Sequence, residues 1–190
     1  MKVTRQQAEE NRKKIIEGAG RLFRERGFDG VSLIDLMGAA GLTHGGFYAN
    51  FKSKDELAVL ACDQVLDDAC KEWQAIAEND GEALSRILEH YLTTCQSSDI
   101  GYSCAYASLG GDVARHGDDR LKASFTNGLA RLIEILARTF PLESQEAREE
   151  KALMSFSTMV GGLVLSRCTD DPALSARILQ AVQKGLSKNA

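Results

Sequence analysis

VSLIDLMGAAGLTHGGFYANFKSKDEL, Val31 to Leu57, carries three helix starts and two stops in a short run. Ser32 and Asp35 stand three apart, the spacing in which each side chain can satisfy the other's exposed backbone N–H. Leu33, Ile34, Leu36, Met37 and Ala40 then recur at helical spacing as an apolar face. Gly41 falls where a helix C-terminus takes a left-handed residue. Leu42 plugs the turn, and Thr43 is placed to cap a second short helix from His44 to Ala49. After Asn50-Phe51-Lys52, Ser53 and Glu56 repeat the capping-box spacing. The stretch therefore predicts a helix-turn-helix followed by the capped start of a longer helix.

Outward from this stretch, the pattern is helical throughout. A first helix is expected from Thr4 to Arg26, with Ile15, Ile16, Ala19, Leu22 and Phe23 on one stripe, Gly27 ending it and Phe28 stapling the turn. Ser53 to Glu78 carries Leu57, Leu60, Ala61, Val65, Ala69, Trp73 and Ile76 along one face, up to a break at Asn79-Asp80-Gly81. Five further helices are expected over 82–96, 102–115, 118–139, 143–168 and 172–187. Turns separate them at Ser97 to Gly101, His116-Gly117-Asp118, Pro141 and Thr169 to Pro172, where Asp171-Pro172 forms an N-cap and N1 pair. The fold class is all-α with about nine helices: a three-helix head over 1–54 and a helical body over 55–190.

Charge is unevenly distributed over the 190 residues. Residues 1–54 hold ten Lys/Arg against six Asp/Glu, whereas the remainder holds thirteen against twenty-one. A basic N-terminal third on an acidic body suits a polyanion partner at one end only. Five cysteines, an odd number without CxxC spacing, fit neither a disulfide framework nor a zinc site, and no metal is expected. No signal-peptide core and no apolar run near the ~18 residues of a membrane span occur, so a reducing cytoplasm is the expected setting and no membrane partner is implied. The three histidines, His44, His90 and His116, are scattered, and HExxH, GxSxG and Walker patterns are absent, which argues against an enzyme.

From Gly41 to Leu57, GLTHGGFYANFKSKDEL resembles the DNA-binding signature of the TetR family of transcriptional repressors; the similarity is close over roughly Asn11 to Leu60 and weak beyond. A helix that enters the major groove needs small residues where its backbone nears DNA and donors at its N-terminal end. Gly45 and Gly46 permit the close approach, and they cost on the order of 1 kcal/mol each in helix propensity. Thr43 and His44 are positioned for base edges or phosphates, His44 being able to donate to guanine N7 or O6. The resemblance implies a phosphate contact for Tyr48. Lys54 places a charge at a helix N-terminus that faces the DNA backbone. Ser32 and Arg5 complete the expected interface, and Phe47 and Phe51 are expected to pack inward. At Ala49 and Asn50, where larger aromatic residues or histidine are usual in the family, the sequence departs from the pattern.

For the body, the resemblance implies an effector cavity and a four-helix dimer interface. Trp73, Tyr91, Cys95, Tyr102, Tyr106, Phe125 and Phe156 are candidates to line the cavity, apolar with a few polar handles. Phe156, Gly161, Gly162, Leu165, Ile178 and Val182 are candidates for the interface. No cofactor is expected beyond an unidentified small-molecule inducer. The expected activity is that of a homodimeric repressor on a palindromic double-stranded operator, released when the inducer shifts the fourth helix. An alternative is a redox or electrophile switch at Cys104, placed at the head of the sixth helix where the dipole can lower a thiol's pKa.

Overall fold

Thr4 opens the first helix: its hydroxyl accepts from the Gln7 N–H at 3.2 Å, and α1 runs Arg5–Arg26 until Gly27, at φ 73°, turns the chain out of it. Phe28 then folds back on Phe23, ring centroids 5.2 Å apart. The computed structural model describes residues 4–78, 82–96, 99–115 and 118–187, apart from the side chains of His44, Thr94, Cys95 and Gln96. The expected turns at Asn79-Asp80-Gly81, Ser97-Ser98 and His116-Gly117 lie outside the described residues.

Among the described residues there are nine α-helices, two short 3₁₀ turns and no strand, so the fold is all-α. After α1 come α2 (Leu33–Ala39), α3 (Phe47–Asn50), α4 (Lys54–Glu78), α5 (Ala83–Gln96), α6 (Ala105–Arg115), α7 (Asp119–Ala137), α8 (Gln145–Arg167) and α9 (Pro172–Ser187). Most boundaries fall within two residues of those the pattern predicts. Two differ for a reason. The second helix of the helix-turn-helix begins as a 3₁₀ turn, His44–Gly46, because two adjacent glycines give the α form little support there. The sixth starts at Ala105 rather than 102, since Asp99 caps a separate 3₁₀ turn over Ile100–Tyr102 by accepting from the Gly101 N–H at 3.1 Å.

By packing, the chain forms two compact units. One comprises Met1–Leu66 with Asp99–Phe125, the other Asp67–Ser98 with Thr126–Ala190. The first thus runs past residue 54 into α4 and takes in α6. Its core joins Ile15, Ala19 and Phe23 of α1 and Leu36 and Met37 of α2 to Phe47, Phe51, Leu57 and Ala61; Leu109, Val113 and Leu121 belong to the same cluster. Gly20 lets α1 and α4 approach, since a Cβ there would lie 2.8 Å from Val65 Cγ2.

In the second unit Trp73, Ile87, Leu88, Leu136, Phe156, Met159 and Leu163 are buried. Asp67 ties α4 to α7 by pairing with Arg131 at 2.9 Å while also holding Lys71 at 2.6 Å, and these two cations keep its carboxyl below its ordinary value. Asp171 caps α9 as expected, accepting from the Ala173 N–H at 2.8 Å with Pro172 in the first helical position. Against α9, Gly162 of α8 leaves no room for a side chain: a Cβ would lie 2.4 Å from Val182 Cγ2.

Candidate nucleic-acid interface

Local bonds set the turn between α2 and α3. Ser32 caps α2 in a reciprocal box: the Asp35 N–H donates to its hydroxyl at 3.2 Å, while the Ser32 N–H donates to the Asp35 carboxylate at 2.9 Å. The Ser32 hydroxyl and N–H, with Arg26 at 3.7 Å, hold the Asp35 carboxyl below its ordinary value. At the other end Gly41, at φ 69°, donates to Gly38 O at 2.9 Å and Leu42 N–H donates to Met37 O at 2.9 Å, the paired bonds of a Schellman stop. The helix-turn-helix angle is therefore built from groups within ten residues of one another.

From that turn the chain presents one exposed edge. Thr43 and Gly45 are exposed, and nothing lies within 4 Å of where a Gly45 side chain would begin. Gly46 is half-buried against Met37, whose Cε is 3.4 Å from a notional Cβ. Tyr48 is 69% exposed, its ring standing edge-on to the buried Phe47 at 5.3 Å. Phe47 and Phe51 both point inward as expected, 5.6 Å apart. Lys54 is half-buried at the first position of α4, whose start is fixed by Ser53 accepting from the Glu56 N–H at 3.0 Å. Here the second box differs in detail from its expected form: the Glu56 carboxylate takes the Lys52 N–H rather than that of Ser53. Arg5 is almost fully exposed at the start of α1, paired at 3.3 Å with Glu9. His44 begins the 3₁₀ turn, and its side chain lies outside the described set.

Both donors of Ser32, its N–H and its hydroxyl, go to Asp35, so at this edge Ser32 holds the start of α2. Two contacts at this edge join residues far apart in the chain. Arg12, half-buried, donates to Asn50 O at the end of α3 and lies 4.4 Å from the Phe51 ring centroid. Asp112 of α6 accepts from the Phe28 N–H at 3.3 Å, at the turn that leads into α2. The thirty-eight and eighty-four positions that separate these partners explain why no local pattern marks them.

The body candidates separate. Trp73 meets Tyr91 and Phe156 edge-on at 6.2 and 5.8 Å, all three buried in the second unit. Tyr106 and Phe125 pair in the first unit, where the Tyr106 hydroxyl donates to Phe125 O at 2.8 Å. Tyr102, expected to face an interior, is 60% exposed beneath the Arg21 guanidinium, which Glu25 and Asp99 hold in place. The Cys95 side chain lies outside the described residues. A cleft of about 260 Å³ in the second unit is lined by Gln74, Ala77, Glu78, Ala83, Ile135, Arg138 and Thr139, none of them among the expected cavity residues. Cys104 sits half-buried just ahead of α6, and burial pushes the Cys62 thiol up to about 12 and the Cys70 thiol up as well.

Of the expected interface residues, Phe156, Gly162 and Val182 are buried within the subunit, Gly162 and Val182 against one another, so they do not face outward. Gly161 has open space above it, Leu165 is 60% exposed and Ile178 is half-buried. With Leu153, Met154, Val164 and Leu174 also exposed, α8 and α9 present apolar side chains to the outside. No helix among the described residues is long and apolar enough to cross a membrane, and no group of three or more His, Cys, Asp or Glu among them could hold a metal ion.

Residues 15–61 match the family model of the bacterial regulatory proteins of the tetR family. The chain is 35% identical over 80 residues to the TetC protein of transposon Tn10 from Escherichia coli, a match that spans 41% of this chain and 41% of that protein. It is 43% identical over 54 residues to the HTH-type transcriptional regulator AcrR of Shigella flexneri, covering 28% of this chain and 25% of that one. The chain thus spans less than half the length of these relatives in its matched part. Over its whole length it shares the fold of a TetR-family transcriptional regulator from Cytophaga hutchinsonii, with TM-score 0.77, 19% identity and 100% and 98% of the two chains covered. The helix-turn-helix thus matches the tetR family's model, and the chain along its whole length shares the fold of that family's solved members.

Proposed function

We propose that the protein is a homodimeric repressor that reads a palindromic operator through the edge from Thr43 to Tyr48 and is released by a small-molecule effector. The observation that carries this reading is the edge itself: Thr43, Gly45 and Tyr48 stand out over an inward-facing Phe47 and Phe51. Gly45 lets the backbone close on the groove, and the donors of Thr43, His44 and Tyr48 reach base edges and phosphates. Lys54 and Arg5 add backbone contacts; the exposed Arg5–Glu9 pair opens readily to a competing phosphate. Residues 1–54 act as the reading head and 55–190 as the regulatory body. Two copies pair through the apolar side chains that α8 and α9 present outward, which sets two reading helices about one turn of B-DNA apart, roughly 34–36 Å. The effector is an organic molecule taken up by the body, where Trp73, Tyr91 and Phe156 supply aromatic surface. The protein works by binding rather than by catalysis, in the cytoplasm where its operator is. The alternative switched through Cys104 is not favoured, since neither the relatives nor the geometry speaks for it.

The test is selection of sites from a random pool of short duplexes by the purified full chain. An enriched inverted repeat supports the dimeric reader; a folded, ligand-free protein that enriches nothing ends the proposal.

A further inference from the structure

We propose that Arg12, on α1, is a positioning residue for the reading helix. The inference rests on the DNA-reading function proposed above. The reading element has little stability of its own: α3 has four residues and its approach is a three-residue 3₁₀ turn. One helical turn does not persist in water without outside support, and Gly45 and Gly46 lower its propensity further. Support at its middle comes from Phe47, buried in the first unit's core. At its C-terminal end the last carbonyls have no partners within the helix. There Arg12 donates to Asn50 O, and its guanidinium lies 4.4 Å from the centroid of the buried Phe51 ring. Asn50 passes the restraint back along the helix, its side-chain amide donating to Gly46 O at 2.8 Å. A cation at the negative end of a helix adds to the bond.

The charge pattern of α1 alone would count Arg12 with Lys13 and Lys14 as a cation for the DNA backbone. Lys13 and Lys14 are exposed; Arg12 is half-buried and turned to Asn50 and Phe51. It therefore sets the pitch of the edge from Thr43 to Tyr48 rather than adding a phosphate contact.

Arg12→Met keeps an apolar stem over Phe51 and removes the donor; Arg12→Lys keeps a charge and a donor but cannot lie flat on the ring. Amide hydrogen exchange over residues 47–51 is measured on the free protein, and affinity for the selected duplex and for an unrelated one is measured across a salt series. In Arg12→Met, exchange at the Phe51 N–H should rise and affinity for the selected duplex should fall, each by roughly ten-fold, the scale of one lost charge-assisted bond. Affinity for the unrelated duplex and the salt slope should hold, and Arg12→Lys should recover part of both losses. Unchanged exchange overturns the proposal. So does an equal loss on both duplexes with a shallower salt slope, the mark of a phosphate contact. If Arg12→Met fails to fold, the Arg12→Lys comparison decides. Should the wild-type protein select no duplex, the DNA-reading function falls and the exchange rates alone decide whether Arg12 holds α3.

Discussion

The missing side chain of Gly45 costs the free protein helix propensity and makes room for no neighbour within it. A Cβ there meets no atom within 4 Å, so Gly45→Ala should leave stability unchanged or raise it by about 0.5–1 kcal/mol, measured by denaturant unfolding. Against DNA the same methyl group occupies the space of close approach, and affinity for the selected operator should drop roughly ten-fold, about 1.4 kcal/mol. A variant that is both more stable and an equal binder would mean the edge does not enter a groove. Lys54 makes the complementary case. Lys54→Ala should lower affinity for every sequence alike and reduce the salt slope by about one, with base preference kept. An unchanged slope in a filter-binding salt series would remove its phosphate role.

At the scale of elements, bonds between near neighbours in the chain were legible and contacts between distant ones were not. The Ser32–Asp35 box and the Gly41 stop follow from short spacings, and the structure bears both out. Tyr102 lies outside the expected interior because the groups that hold Arg21 over it, Glu25 and Asp99, are far apart in sequence. Gly162 illustrates the same limit. Small residues in α8 announce a close approach, but periodicity does not say whether the approaching helix belongs to this subunit. Here it is α9, so Gly162→Ala should destabilise the protein by about 1–3 kcal/mol through overpacking on Val182. The Gly162→Ala, Val182→Ala pair should recover much of that loss, and a thermal-unfolding double-mutant cycle that shows no coupling would contradict the packing. A titration bears on α7, whose start is held by Asp118. The side chain and backbone N–H of Arg120 bring that carboxyl down from 3.8 to about 2. Because the folded value is the lower one, its contribution is present above 3.8 and fades as pH falls towards 2. The gap in melting midpoint between wild type and Asp118→Asn should therefore be open near neutral pH and close across that acid window. A gap that stayed constant would rule the carboxylate out as its source.

At the scale of the whole molecule, the apolar side chains that α8 and α9 turn outward make one prediction that concerns two copies rather than one. Leu165 is 60% exposed, so Leu165→Glu should leave the subunit's helix content intact by circular dichroism. If the proposed dimer uses this face, sedimentation should show the variant as a monomer where the wild type is a dimer, with a matching loss of affinity for an inverted repeat. A persistent dimer would put the interface on another face. Fold class and helix order are legible from one chain because each rests on caps and stripes within a helix or two. On α8, Leu165 is exposed and Gly161 has open space above it, whereas Phe156 is buried within the subunit.

Ala105, Leu109, Val113, Leu121 and Phe125 share one apolar cluster with the helix-turn-helix, although they follow it by some forty residues or more. This has a consequence for anyone who would graft the DNA-reading segment onto another protein. A chimera that ended with α4 would carry the helix-turn-helix away from five of the twenty buried residues in its cluster, leaving bare hydrocarbon where α6 and the start of α7 belong. The packed piece is discontinuous, and the proposed reading edge should keep its fold in a chimera only together with that distant span.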